Sequence, residues 1–521
     1  MTLGRHSVQD DLFDPVARAC KDLAPTSIFR LLHDRGDDLF ADTRFADLYS
    51  DVGRWSISPR IVATVMVLQR ISGLGDREAV ERLQFDMRWK FAAGVSLEDS
   101  SFASTVWVRV RAKLARSKAP DRIFEAVKHM AEAAGLVGRK RVLDSTALYD
   151  AVSTQDTVTM IHDAIRLVLK ELDASNKNDI ESTLARKGDY HVAGKPACNW
   201  DDREAREELL QPLAGDGHKV LSALENQPIL ASMKQAVELL ATVLGQDLKQ
   251  DAEGRFSIVR GVATDRVIST VDPETRHGHK TESRRFDGYK GHVAIDPDSE
   301  IITATDVTPA NVGDGKAVES LLADEWKAAA DSDESSEKQA SIEVYGDASY
   351  GSAEVIERLE QAGIEAHTNV QLATHREGHF SSEQFSIDLE NKTVECPAGH
   401  LVKLRTRSDG SRQAAFGIRC KDCPLQSQCT ANKTGRTIFV HRQYELISRY
   451  RNAQRSEEWK QKYRSTRPKV ERKIAHLMRH RHGGRRARVR GCVRVAADFK
   501  LLAAAVNLSR LAVLMAPSAT D

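Results

Sequence analysis

The chain has 521 residues, 41% hydrophobic and 29% charged. That composition excludes collagen-like, low-complexity and disulfide-scaffold proteins and leaves ordinary globular domains, about three on length alone. The net charge of +1 hides an asymmetry: from Arg436 onward there are 21 Lys/Arg against 6 Asp/Glu, and before it 55 against 69. Such a basic block is either a solvated helix face or the footprint of a polyanion site.

The opening MTLGRHSVQDDLFDPVARAC has no apolar run of signal-peptide length, so a cytoplasmic protein is expected. Its seven cysteines are then poor candidates for disulfides. Residues 1–135 read as a helical domain. Ser58-Pro59 predicts a helix start, a capping side chain followed by proline, and Ile61, Val65 and Leu68 recur at helical spacing. Gly73-Leu74-Gly75 ends that helix. Asp76 is expected to cap the next, with Ala79, Val80 and Leu83 inward, and a third begins after Ser101. Tight turns between short helices suit a helix-turn-helix-like DNA-binding module and equally a plain helical bundle.

From Val142 the pattern turns to strands. RVLDSTAL predicts a first strand ending at Asp144, followed by a helical insert over about 150–250, with helices near 156–174 and 202–245. FDGYKGHVAID alternates with period two and IITATDV is rich in β-branched residues, which predicts two further strands. Pro309, Asn311 and Gly313 make a turn before a helix, and the acidic run 331–337 reads as an exposed loop. SIEVYG leads into Asp347, Val355–Ala362 is helical, and EAHTNV is a last strand. Three strands, then helix, strand, helix, strand is the order of a ribonuclease-H-like α/β core, a mixed sheet with flanking helices, over 136–375. Residues 441–521 complete it as a basic helical part. Its apolar stretch Leu501–Ala516 is interrupted by Asn507 and Arg510 and is too short for a membrane span. It reads as a buried helix.

Three acids lie in settings suited to phosphoryl transfer. Asp144 and Asp347 each close an apolar strand, and carboxylates at strand ends face the crevice where α/β sheets bind ligands. Glu471 sits in the basic helix YRSTRPKVERKIAHLM, at the edge of an apolar stripe formed by Val470, Ile474 and Leu477. Together the three can hold two Mg²⁺ (or Mn²⁺) ions roughly 3.5–4 Å apart, clamping both oxygens of an in-line displacement. Arg464, Arg467, Lys469, Arg472, Lys473 and Arg479 around Glu471, with Arg485, Arg486, Arg488 and Arg490 beyond, are candidate phosphate contacts on double-stranded DNA. Lys290 and His292 share a strand face and could meet DNA too, although half-exposed strand positions explain them equally well.

A cysteine-rich insertion spans 376–440. Cys396, Cys420, Cys423 and Cys429 have the spacing of a structural Zn²⁺ site, with His400 as a possible replacement for one thiolate. A redox C-x-x-C pair and metal-free thiols are the competing readings. The segment is polar enough that a core without a metal staple is not expected.

The chain resembles the DDE transposases of bacterial insertion sequences, in the group with an N-terminal helical transposase domain and a cysteine-rich insertion before the catalytic glutamate. LYSDVGRWSISPRIVATVMVLQRISGLGDREAVERLQFDMRWKFAAGV, VLDST, FDGYKGHVAID, VTPANVGD, YGDASYGS and YRSTRPKVERKIAHLMRHRHGGRRARVRG carry the likeness. It departs from the family's tyrosine–arginine–glutamate–lysine signature. Three residues separate Tyr463 from Arg467 where two are usual, and Met478 stands where lysine is usual. The resemblance implies Asp144, Asp347 and Glu471 as catalytic acids. It implies metal-dependent cleavage at the element's ends and strand transfer into target DNA, by a homodimer assembled on DNA near the bacterial nucleoid, with no membrane. An inactive DNA-binding relative and a nuclease that cannot join strands are the rival functions.

Overall fold

The computed structural model describes residues 1–6, 14–99, 102–150, 152–225, 227–228, 230–259, 261, 263–281, 283–330, 341–373 and 378–517. The acidic run 331–337 lies outside them. The chain divides into two compact units, neither of them continuous. Met1–Val137, Ser145–Leu321 and Arg472–Asp521 form the first; Gly138–Asp144 and Leu322–Glu471 form the second.

After a short helix at Pro15–Ala19, the first unit has helices α1 (Ile28–Leu39), α2 (Pro59–Ser72), α3 (Asp76–Phe85), α4 (Met87–Ala93), α5 (Thr105–Arg116) and α6 (Arg122–Ala133). Ser58 precedes α2 as predicted, but its side chain does not cap the helix. Its hydroxyl donates to Asp42 Oδ1 at 2.7 Å, and the same oxygen accepts the Arg60 N–H at 3.0 Å. The capping carboxylate therefore comes from a residue remote in sequence. Gly73 ends α2 in the left-handed region, φ +67°, where glycine avoids the Cβ penalty. Asp76 is not the cap of α3: Gly75 holds that position, its N–H donating to Glu78 at 2.6 Å. Asp76 accepts from Gln69 Nε2 at 2.7 Å and from Arg111 instead.

The helical insert has its own core. Helices α7 (Thr157–Glu171), α8 (Arg203–Leu224) and α9 (Ala231–Asp247) enclose Ile161, Ile165, Leu213, Val220, Leu240 and Val243. The C-terminal helix, Cys492–Leu514, is buried along Leu502–Leu508. The two residues that interrupt its apolar run each have a polar task. Buried Asn507 donates to the Ile302 carbonyl and accepts the Ile302 N–H, both at 2.8 Å, and Arg510 donates to the Ser299 carbonyl at 2.8 Å. Among the described residues no helix is long and apolar enough to cross a membrane.

Strand β1 (Lys140–Tyr149) contributes to both units. In the first unit, β2 (Arg276–Thr281), β3 (Arg284–Ile295) and β4 (Ile302–Pro309) are antiparallel: β3 pairs with β2 through its first half and with β4 through its second. In the second, β1 runs parallel to β5 (Glu343–Gly346), with Val142 opposite Tyr345, and β5 runs parallel to β6 (Glu365–Thr368). The order in the first unit is β2-β3-β1, with β4 also on β3, and in the second β1-β5-β6. This is a mixed α/β sheet, and β2 is a strand the sequence did not predict, so four strands rather than three precede the helix.

The cysteine-rich segment folds as two three-stranded antiparallel sheets. Contrary to expectation it has an apolar core of its own, built from Phe385, Val394, Val402, Phe416 and Ile438 with Cys420 and Cys429. Period-two pairs scattered over short strands gave no sequence sign of it.

Candidate active site

Asp347 owes its position to two glycines. Behind it, β5 is buried at Val344 and Tyr345. A Cβ on Gly346 would lie 2.8 Å from Tyr350 Cβ, and one on Gly351 would lie 2.0 Å from the Asn369 carbonyl oxygen. Only glycine permits the tight turn that follows, in which the Ser349 N–H donates to Asp347 Oδ1 at 2.9 Å. Ser352 then caps α10 (Ala353–Gln361). Asp144 follows the buried pair Val142-Leu143 on β1 and retains 14% side-chain exposure; the strand does not end there, as expected, but continues to Tyr149.

Glu471 arrives on a helical run broken once. Helix α11 (Glu457–Thr466) and helix α12 (Pro468–Leu477) meet at Arg467, which keeps helical dihedrals, φ −58° and ψ −40°. Pro468 has no N–H with which to close the bond to the Arg464 carbonyl. Val470, Ile474 and Leu477 are buried, as the stripe predicts, and Glu471 stands at its edge with 65% exposure.

The three acids converge on Arg467. Its Nη2 lies 3.0 Å from Asp144 Oδ1 and 4.0 Å from Asp347 Oδ2, and its Nη1 lies 3.6 Å from Glu471 Oε1. The guanidinium is 9% exposed. Burial opposes its charge, but Asp144, then Tyr463, Asp347 and Glu471, outweigh that and hold its pKa above the usual arginine value. Its Nε and Nη1 are buried without hydrogen-bond partners, so the Nη2 contact with Asp144 and the surrounding charge hold it. Sequence reading placed Arg467 among DNA contacts and missed this role. The signal was its helical spacing, four residues before Glu471.

Tyr463, one turn earlier, donates to the Gly346 carbonyl at 3.2 Å and accepts from Asn369 at 3.1 Å. Lys462 on the same helix reaches Glu343 at 3.2 Å. Among the described residues no group of three His, Cys, Asp or Glu side chains could hold a metal ion. The acids surround a guanidinium rather than a shared centre, although their oxygens are the donor type Mg²⁺ and Mn²⁺ take.

The predicted DNA contacts divide into two sets. Arg464, Arg479, Arg485, Arg486, Arg488 and Arg490 are exposed, and Lys469 is half-buried. The segment carrying Arg485 and Arg486 pairs beside the last residue of β1: the Tyr149 N–H donates to the Arg485 carbonyl and the Ala487 N–H to the Tyr149 carbonyl, both at 2.8 Å. Arg488 donates to the Leu74 carbonyl. Others are engaged inside the protein. His292 is fully buried against Thr308 at 2.9 Å, and Lys290 donates to Asp314 at 2.8 Å. Arg472 binds Glu300, and Lys473, 1% exposed, lies 3.9 Å from the same carboxylate. A duplex cannot reach His292 or Lys473 in this state.

Cys396, Cys420, Cys423 and Cys429 are free thiols lining one cavity of about 20 Å³. The His400 N–H donates to Cys396 Sγ and the Arg436 N–H to Cys420 Sγ, each at 3.4 Å. Burial pushes the Cys429 thiol pKa up; Arg436 opposes this and the other three cysteines add to it. The thiols are thus neighbours without metal-ligand geometry.

Residues 395–512 match the model of a transposase DDE domain, a span that includes Glu471 and the four cysteines but neither Asp144 nor Asp347. Residues 20–113 match a transposase domain, DUF772. No curated protein and no solved structure matches the chain. One match lies over the N-terminal helices and the other over the acid-bearing helical run, and together they support a DDE transposase of the insertion-sequence type.

Proposed function

We propose that the protein cleaves DNA at the ends of its insertion sequence and joins the freed 3′ ends to target DNA, using a ribonuclease-H-like core. The observation that carries this reading is the convergence of Asp144, Asp347 and Glu471 on one guanidinium. Chain segments this remote need not bring three carboxylates together for stability alone. The three acids would hold two Mg²⁺ or Mn²⁺ ions once drawn together, and the ions would supply Lewis-acid charge for the displacement. In the first step a water oxygen attacks phosphorus and the 3′ oxygen leaves as a hydroxyl; in the second, that 3′-hydroxyl oxygen attacks a target phosphodiester and the target strand's own 3′ oxygen leaves with the proton. Arg464, Lys469, Arg479 and the Arg485–Arg490 stretch neutralise backbone phosphates and position the duplex without reading its sequence.

The four cysteines would hold one structural Zn²⁺ once drawn together from the cavity they line. Thiolates are its preferred donors, and backbone N–H groups already aim at two of the sulfurs. We place the protein in the cytoplasm, as a homodimer on DNA. The deciding experiment incubates purified protein and Mg²⁺ with duplex carrying the inverted repeats that flank the gene. Cleavage followed by joining is expected, and both are lost in Asp144→Asn. Cleavage without joining would indicate a nuclease, and neither activity an inactive DNA-binding relative.

A further inference from the structure

We propose that Arg467 is an internal counter-cation that occupies the acid cluster before metal does, so that divalent ions enter only as its guanidinium withdraws. The inference rests on the metal-dependent reading above and adds to it a residue that controls metal loading. Asp144 is 14% exposed and Arg467 9%, so their contact at 3.0 Å is little screened. Asp347 and Glu471, at 42% and 65% exposure, contribute through more solvent. Without a cation the three carboxylates would repel one another, and removing one partner of a buried pair strands the other's charge. A single guanidinium within 4.0 Å of all three neutralises part of that charge where the ions would otherwise sit.

The local chain supports an exchangeable role. Arg467 follows helix α11 directly and precedes Pro468, so its backbone is held while its long side chain is fixed mainly by the acids. Two of its nitrogens lack hydrogen-bond acceptors, so its departure breaks few directed bonds. Cation exchange at fixed carboxylates then requires only a side-chain rotation.

The test is Mn²⁺ binding to the full chain, read by electron paramagnetic resonance, together with thermal unfolding in EDTA. A neighbouring guanidinium alters a carboxylate's affinity for a proton roughly ten- to a thousandfold. Arg467→Gln should therefore bind Mn²⁺ at least about tenfold more tightly than the natural chain. It should also melt lower in EDTA and regain that loss with Mn²⁺. A separate check needs no variant: a crystal structure of the natural chain with Mn²⁺ should show the guanidinium withdrawn from Asp144. Unchanged affinity in Arg467→Gln, or Arg467 still bonded to Asp144 beside bound Mn²⁺, would overturn the inference while leaving the metal site intact. If Asp144→Asn does not weaken Mn²⁺ binding in either background, the metal-dependent reading itself fails.

Discussion

The hydroxyl of Tyr463 donates to the carbonyl of Gly346, the residue immediately before Asp347. It ties the helix leading to Glu471 to the strand end that presents the second acid, and Asn369 donates to the same oxygen. Tyr463→Phe removes both bonds and takes this acceptor from the Asn369 side-chain amide, while the Gly346 carbonyl keeps the Asn369 backbone N–H at 3.3 Å. The expected loss is about 1 kcal/mol of stability, measured by urea unfolding, with cleavage reduced but Mn²⁺ affinity kept. A variant as stable and as active as the natural chain would show that the bond positions nothing.

Glu471 has a competing explanation as an ion-pair partner of Arg467, and an exposed pair of that kind contributes roughly 0–1 kcal/mol. On that account Glu471→Gln would cleave almost normally. A metal ligand gives a different outcome, since losing one electrostatic group in the transition state costs on the order of 10²–10³ in rate. Glu471→Gln, Asp144→Asn and Asp347→Asn should each abolish detectable cleavage while DNA binding persists. Combining them should add little, because they act as a unit. Near-normal cleavage by Glu471→Gln would move the search to Glu457 and Glu458.

Salt dependence tests the basic segment. Arg485, Arg486 and Arg490 are exposed, whereas Arg488 already serves the Leu74 carbonyl. The variant with Arg485, Arg486 and Arg490 all replaced by alanine should therefore leave the fold intact. For each phosphate that is no longer neutralised, the slope of log affinity against log salt should flatten by about 0.9 on duplex DNA. An unchanged slope would put these arginines on a face that DNA never meets.

Acid should destabilise the protein before its carboxylates titrate. His482 is 2% exposed and bonded to the Ile71 carbonyl; burial, then Arg481 and Arg479, hold its pKa below the usual histidine value. The unfolded chain takes up this proton near pH 6.5 while the folded chain resists. Stability therefore falls as pH drops below that value. Buried His292 acts in the same direction. Comparing chemical denaturation at pH 7 and pH 5, His482→Gln should lose less stability than the natural chain, by up to about 1.4 kcal/mol per pH unit. An equal loss in both would exclude His482 as a source.

The purified protein should contain about one zinc, because a closed structural site takes four thiolates. Cys423→Ser should release it and expose the segment to protease without disturbing cleavage of a preformed substrate at first. Elemental analysis that finds folded, zinc-free protein would instead leave the apolar core around Phe416 and Ile438 as what holds the segment together.

Local signals served the sequence reading well where structure is local. The strand end before Asp347, the stripe of Val470, Ile474 and Leu477, and the glycine stop at Gly73 all lie where periodicity and turn chemistry put them, whereas the first strand runs on past Asp144 to Tyr149. Helix α4 was missed although its markers were present, since Asp86 caps it and Gly94 ends it; its short length hid the period. Partners far along the chain left no local trace. Nothing near Lys473 or Arg472 announces Glu300, and nothing near Lys290 announces Asp314. Basic residues were for that reason assigned to DNA when part of their charge is consumed inside the fold. Alternation on β3 could not reveal that His292 is covered.

The backbone crosses between the two units after Val137, Asp144, Leu321 and Glu471. In genetic terms the gene is not modular: no single stop codon, frameshift or protease cut releases either unit whole. A copy truncated anywhere before Glu471 lacks the third acid together with the C-terminal helix that Asn507 fastens to Ile302. Such copies should decay as unfolded fragments and should not persist as competing binders, and an element carrying one would depend on an intact copy elsewhere to move it.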